Sequence, residues 1–239
     1  MSVIIDFNEE EKNQLLKNIK REEYLLKYGR GSQGICYLIN GNVYKVFHCG
    51  WSRTNNTICK DDLNLKSFLF PSEIYIHDQG VFACKTDTYI ENNQISVHNL
   101  DDGKFPDINS IRNALVPLIE DIYTLSENHI RAIDLAWRNL LFDGKSFFII
   151  DTLNYIEENK VDRNTIYEAN IIDLKDDCIY PFIAAYSGRY RHYSTIDKQY
   201  TDYEKIRKKL FKLIPYFDKI VKQVQEKHKD KEVQKIKDH

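Results

Sequence analysis

The chain has 239 residues, of which 42% are hydrophobic, 13% aromatic and 29% charged, with a formal net charge of -2. That length and composition describe a globular protein with room for one large domain or two small ones, and they exclude a disordered chain. No stretch approaches the ~18 apolar residues of a membrane span, and the near-neutral charge gives no overall pull toward nucleic acid.

The first residues, Met1 to Asp6, lack a basic leader and a long apolar core, so no secretory signal is expected. Residues 7–27 read as a helix: Asn8 can cap it, Glu9 to Glu11 suit its first turn, and Leu15, Leu16 and Ile19 form an apolar face. Glycine is scarce, with nine in the chain, yet three fall together at Gly29, Gly31 and Gly34. Such clustering marks a backbone with a special requirement. Ile35 to Ile39 and Val43 to Phe47 flank Asn40-Gly41-Asn42 and read as a hairpin. Residues 48–67 are polar and read as a loop with a short helix. A second hairpin spans Glu73 to His77 and Val81 to Lys85 around Asp78-Gln79-Gly80, with Thr86 to Ile90 extending its second strand.

Asn92-Asn93 marks a break, after which the period turns helical. Ile111, Leu115, Leu118, Ile119, Ile122 and Leu125 recur at three- and four-residue spacing, with Asn109 or Ser110 as the cap. Ile130 to Asn139 reads as a short strand and loop. Leu140 to Phe142 and Phe147 to Ile150 flank Asp143-Gly144-Lys145 as a third hairpin. Helices follow around 164–186 and 202–235, with Pro215 expected to end or kink one near Ile214. Strands come first and helices later, which is an α+β organisation in two lobes.

The five cysteines, Cys36, Cys49, Cys59, Cys84 and Cys178, are odd in number, widely spaced and without a CxxC pair. They signal neither a disulfide framework nor a zinc site, and they point to a reducing cytoplasm. Residues 201–239 carry 12 Lys and Arg against 7 Asp and Glu, which reads as the solvated face of a basic helix. Arg189-Tyr190-Arg191-His192-Tyr193 interleaves basic and aromatic residues and reads as a surface loop.

Three features bear on chemistry. Gly29 to Gly34 spells G-x-G-x-x-G with hairpin strands on its later side and no helix directly after it, where it serves either as a plain turn or as bare backbone over phosphates. Lys45 sits mid-strand eleven residues later, on the wet face or in a cleft, on the same face as Val43 and Phe47. Asp134 and Asn139 share one loop, and Asp151 ends an apolar strand. A carboxylate so placed can orient or deprotonate a hydroxyl, and an amide oxygen with a second carboxylate can ligate Mg²⁺; an Asp at a strand end can also simply cap a turn.

In order and spacing, these elements resemble the protein kinase-like superfamily over roughly residues 22–156. The resemblance implies a two-lobed fold, with a small antiparallel sheet in an N-terminal lobe (1–91) and a mainly helical C-terminal lobe (92–239). It implies an ATP- and Mg²⁺-dependent phosphotransferase. Gly29, Gly31 and Gly34 would cover the phosphates, with Ser32 at the loop tip and Lys45 on phosphate oxygens. Asp134 would be the catalytic carboxylate, Asn139 and Asp151 the metal ligands, and Tyr89-Ile90-Glu91 the adenine-binding stretch. The complete glycine loop favours a protein Ser or Thr as acceptor. The alternatives are a small hydroxyl-bearing substrate, as for aminoglycoside and choline kinases, and an inactive pseudokinase acting as an interaction module. The sequence departs from the regulated protein kinases at Ala132-Ile133, where they have His-Arg, and at Asp151-Thr152-Leu153, where they have Asp-Phe-Gly; no Ala-Pro-Glu follows. Residues 46–72 contain no Glu, so Asp61, Asp62 or Glu73 is left to pair with Lys45.

Overall fold

The computed structural model describes the backbone of residues 3–21, 25–30, 33–52, 63–86, 107–196 and 203–237, with side chains over most of that span. The protein is mixed α+β, with a small, largely antiparallel sheet and several helices. It divides into two units. The first takes its described residues from Met1–Asn64, Leu69–Asn92 and Asp151–Glu157, and the second from Leu65–Phe68, Asn93–Ile150 and Glu158–His239.

The first unit holds β1 (Val3–Asp6), α1 (Glu9–Arg21), β2 (Leu25–Arg30), β3 (Gly34–Ile39), β4 (Asn42–Ser52), β5 (Glu73–His77) and β6 (Gly80–Thr86). The six strands run in the order β1-β5-β6-β4-β3-β2, and only the β1–β5 pairing is parallel. Both tight turns use positive φ. Asn40 and Gly41 (50° and 80°) join β3 to β4, and Asp78 and Gln79 (48° and 64°) join β5 to β6. Such turns match the right-handed twist of the strands they connect. α1 opens on a reciprocal cap: Asn8 Oδ1 accepts the Glu11 N–H, and Glu11 Oε2 accepts the Asn8 N–H, both at 2.9 Å.

The second unit is built around α2 (Ile108–Glu127), whose apolar stripe of Ile111, Leu115, Leu118, Ile119, Ile122 and Leu125 is buried throughout. β7 (Ile130–Arg131) follows, then a hairpin of β8 (Leu140–Phe142) and β9 (Phe147–Ile149). After the short β10 (Ile156–Glu157), which belongs to the first unit, come α3 (Arg163–Asp173), α4 (Tyr180–Ile196), α5 (Tyr203–Phe211) and α6 (Leu213–Lys237). α3 and α6 pack against α2, and α6 contributes the buried Phe217, Ile220 and Val224. No described helix is long and apolar enough to cross a membrane.

Several expectations change. The first helix stops at Arg21, and Leu25 onward is strand, paired in register with Tyr37. Leu25 and Leu26 continue the helical spacing by coincidence, and the ladder with β3 decides their conformation. β1 was not foreseen, because three β-branched residues followed by an aspartate are too short a run to show a period. β4 continues to Ser52, where loop was expected, since Trp51 and Ser52 pair with Val81 and Gly80. Asp107 caps α2 instead of Asn109 or Ser110, its carboxylate accepting the Ser110 N–H at 3.0 Å. Arg189 to Tyr193 lie within α4 and not in a loop. Pro215 falls in the first turn of α6, where a missing N–H costs no hydrogen bond, so the break comes earlier, at Lys212.

Asp121, on the buried side of α2, ties down the crossing segment 65–68. Its Oδ2 accepts the N–H of Lys66 (2.8 Å) and of Ser67 (2.6 Å). Burial pushes its carboxyl up despite those donors. The folded protein therefore holds this proton to a higher pH than the unfolded chain does. Its contribution to stability falls as pH rises from the unfolded value through the raised folded one, and is level above. Asp121→Asn keeps an oxygen for both donors and cannot ionise. Melting temperatures followed from about pH 3.5 to about pH 7 should show a weaker loss with rising pH in the variant. Identical slopes would remove Asp121 as the cause.

Candidate functional site

The sheet register sorts the side chains of the first unit onto two faces. Ile74, Cys84, Lys45 and Cys36 stand opposite one another across β5, β6, β4 and β3, and residues directly across a ladder share a face. Phe47, two residues beyond Lys45, packs on this face with Ile74, Val81, Cys84 and Leu153. The next row, Glu73, Lys85, Tyr44 and Tyr37, belongs to the opposite face. There Tyr75, Phe82 and Ala83 pack with Phe7, Leu15, Leu16, Tyr44 and Val46, so α1 covers that side.

Lys45 therefore shares its face with Phe47, as expected, and its ammonium lies 5.1 Å from the Phe47 ring centroid. Its charge is met by Asp151, with Nζ 2.5 Å from Oδ1; the two side chains are 17% and 23% exposed. Gln33 adds a second contact, its Oε1 accepting from Nζ at 3.2 Å. The flanking thiols contribute no charge. Burial pushes Cys84 up to about 12 and raises Cys36 as well, the nearby ammonium of Lys45 lowering both by less.

Glu73 is not the partner of Lys45. It lies on the opposite face, where its carboxylate meets Lys85 (2.8 Å) and the hydroxyl of Tyr75 (2.6 Å). Asp61 and Asp62 lie outside the described residues, as do Gly31, Ser32, Tyr89, Ile90 and Glu91. Gly29 lies in β2, and Gly34 opens β3 opposite Phe47. A Cβ at Gly34 would come within 2.4 Å of the Val46 carbonyl oxygen, so the close approach of β4 itself demands glycine there.

Asp151 carries a left-handed backbone (φ 64°, ψ 44°) at the entry to a 3₁₀ turn, Thr152–Asn154. The segment is fastened to the first unit at four points. Asp151 pairs with Lys45, the Thr152 hydroxyl donates to the Leu69 carbonyl (2.9 Å), Leu153 enters the cluster around Phe47, and Tyr155 packs edge-on against Phe70.

The second unit brings Asp134 and Asn139 together. Asp134 also has a left-handed φ (63°), and its Oδ1 accepts from Arg138 at 2.9 Å. Asn139 closes a 3₁₀ turn over Trp137–Asn139; its amide donates to the Asp134 carbonyl (3.4 Å), and its own carbonyl accepts the Ile150 N–H (3.0 Å). That leaves the Asn139 side-chain oxygen as an acceptor. Among the described residues no three His, Cys, Asp or Glu gather as a metal cluster.

Set against known proteins, the chain matches no protein-family model and no curated protein sequence. The residues themselves must carry the functional reading.

Three contacts were missed from sequence. Gln33 lies inside the glycine motif but was given no role. Arg138 was visible only as a cation four residues after Asp134. Asn170 holds the root of the Asp134 loop: its oxygen accepts from the Ala132 N–H (2.9 Å) and Arg131 (2.8 Å), and its amide donates to the Ile130 carbonyl (2.9 Å) and the Ser126 hydroxyl (3.1 Å). Its one signal was a polar side chain on the buried stripe of α3 with Ile166 and Tyr167. Arg131 also pairs with Asp173 at 2.6 Å.

Two outcomes are expected. Asn170→Ala removes four hydrogen bonds inside the second unit and should cost about 3 kcal/mol, read as a lower melting temperature. A double-mutant cycle on Lys45→Met and Asp151→Asn in urea should show a coupling of about 1 kcal/mol or more. Strictly additive losses would mean that the pair does not interact in solution.

Proposed function

We propose that the protein is an ATP- and Mg²⁺-dependent phosphotransferase with a two-lobed, kinase-like fold, acting in a reducing cytoplasm. The observation that carries this reading is the Lys45–Asp151 pair. A strand lysine on β4, behind the glycine-motif hairpin, meets the aspartate that follows the hairpin after Asn139, although 106 residues separate them. Ordinary salt bridges sit at wet surfaces, whereas this one is largely shielded from water on an otherwise apolar sheet face.

In this reading Lys45 binds phosphate oxygens, and Asp134 orients the acceptor hydroxyl and takes its proton. Asn139 and Asp151 offer an amide oxygen and a carboxylate, the hard donors that Mg²⁺ prefers while it keeps several waters and phosphate oxygens. Bound Mg²⁺ supplies charge neutralisation on the phosphate groups. Arg138 holds the Asp134 carboxylate in place, and Asn170 fixes the strand that leads into it. Catalysis comes from positioning and charge, with no covalent step on the protein.

A protein Ser or Thr remains the proposed acceptor. One observation favours a small cationic alcohol instead. A cavity of ≈ 430 Å³ beside Asp134 is lined by Trp137, Arg138, Asp173 and Asp177; Arg138 and Arg131 already pair with Asp134 and Asp173, which leaves Asp177 as the carboxylate to meet a hydroxyl-bearing amine.

Thermal unfolding with ATP, with and without Mg²⁺, tests the proposal. At ligand about 100-fold above Kd the wild type should gain about 2.7 kcal/mol, several degrees in melting temperature. Lys45→Ala and Asp151→Ala should lose most of that gain. Asp134→Ala should keep it but slow γ-phosphate transfer by about 10²–10⁴-fold. Transfer that survives Asp134→Ala overturns the assignment of roles. Neither stabilisation nor transfer leaves the fold as an interaction module.

A further inference from the structure

The second unit has another cavity, of ≈ 480 Å³, remote in sequence from Asp134 and Asn139. Its walls come from the start of α2, the end of α5 and the start of α6. Three cations line it, Arg112, Lys209 and Lys212, against one carboxylate, Asp107. Asp107 is already engaged as the cap of α2, accepting from the Ser110 N–H and hydroxyl. No described carboxylate pairs with the three cations. Lys209, in the last turn of α5, and Lys212, just past its end, sit where the helix dipole favours a cation, but Arg112, near the start of α2, has no such reason to be there.

Arg112 is also held in place. Its guanidinium carbon sits 3.8 Å from the centroid of the Tyr216 ring, a stacked arrangement that fixes the plane and leaves the N–H edge to donate. The first turns of α2 and α6 carry no acidic side chain, so Asp107, the cap of α2, is the one carboxylate at either helix start. The remaining wall is mostly apolar and partly aromatic, with Ile206, Leu213 and Tyr186, and Asn109 adds a polar, exposed edge.

We propose that this cavity binds a phosphomonoester carried on an aryl or apolar body. The charge argues for the class: three cations against one spent carboxylate leave an excess of two, which a dianion satisfies, and a phosphomonoester carries about -1.5 to -2 at neutral pH. A stacked arginine is suited to paired hydrogen bonds with phosphate oxygens. The volume lies within the roughly 300–1,000 Å³ of small-ligand sites, and the apolar wall takes the body of the ligand. The site lies wholly within the second unit and does not depend on the phosphotransferase reading.

The test is calorimetric titration of the full chain with phenyl phosphate, and with phenyl sulfate, which has the same shape and one charge fewer. Phenyl phosphate should bind at least about tenfold more tightly. Arg112→Gln and Lys212→Gln should each weaken it about tenfold or more without lowering the melting temperature, and added salt should weaken it further. Lys45→Ala should leave it unchanged, which separates this site from any phosphate held by the strand lysine. A phosphotyrosyl pentapeptide run alongside identifies the source: tighter binding than phenyl phosphate assigns the site to a phosphorylated chain, and equal or weaker binding to a free organic phosphate. Absence of binding, binding untouched by Arg112→Gln and Lys212→Gln, or binding lost with Lys45→Ala overturns the proposal.

Discussion

A lysine in the middle of a half-buried strand must have its charge met, and much of the first unit follows from how Lys45 does so. Its neighbours across the ladder, Cys36 and Cys84, are thiols that burial keeps protonated, and two residues along the strand stands Phe47. None of these offers an anion. The countercharge comes from Asp151, and the segment that carries Asp151 is anchored with it: Thr152 by a hydrogen bond, Leu153 by apolar packing, Tyr155 by an aromatic contact. A shielded ion pair adds little net stability over an apolar pair of the same shape, yet losing one partner is costly. Its effect here is to specify which stretch of a distant sequence lies on this face.

The two faces of the sheet have different tasks. α1 closes one of them with Leu15 and Leu16, and the aromatic side chains beneath make an ordinary core. Glu73 and Lys85 satisfy each other at the border of that core. The other face keeps the ammonium. A one-residue difference in register decides between these roles, because successive strand residues point to opposite sides. Glu73 and Ile74 are adjacent in sequence, but only Ile74 shares a row with Lys45.

Much of the architecture was legible because it rests on local signals. Asn-Gly and Asp-Gln turns, a three-four spacing of aliphatic residues and a period-two strand all write themselves into short windows. The stripe of α2 and the three hairpins were visible for that reason. β1 and the far end of β4 were not, since their pairing partners, from Glu73 onward for β1 and Gly80 and Val81 for β4, lie outside any local window and their own stretches carry no period. For the site, the residue types and their order were visible and the partners were not. Nothing in a linear reading places Glu73 behind the sheet, sets Gln33 beside Lys45, or shows that Asn170 spends three of its four hydrogen bonds on the root of a loop and the fourth on α2.

The backbone separates Asp134 and Asp151 from the other carboxylates. Of the seven non-glycine residues with positive φ among those described, Asn40, Asp78 and Gln79 form hairpin turns, and His129 follows the end of α2. At such places a left-handed residue is the geometric requirement of the turn, and glycine or asparagine serves as well. Asn64, Asp134 and Asp151 lie in neither kind of turn, and of these only Asp134 and Asp151 carry a carboxylate. Left-handed backbone costs an L-residue roughly 1–2 kcal/mol, least for Asn and Asp. Neither carboxylate recovers that cost by capping its own turn: one meets Arg138 and the other Lys45. In both cases the side chain is held away from its own backbone and paired with a cation, which orients the carboxylate. Strain of this kind persists where the surrounding structure over-determines it, and the four anchors of the 151–157 segment and the Asn170 network supply that determination.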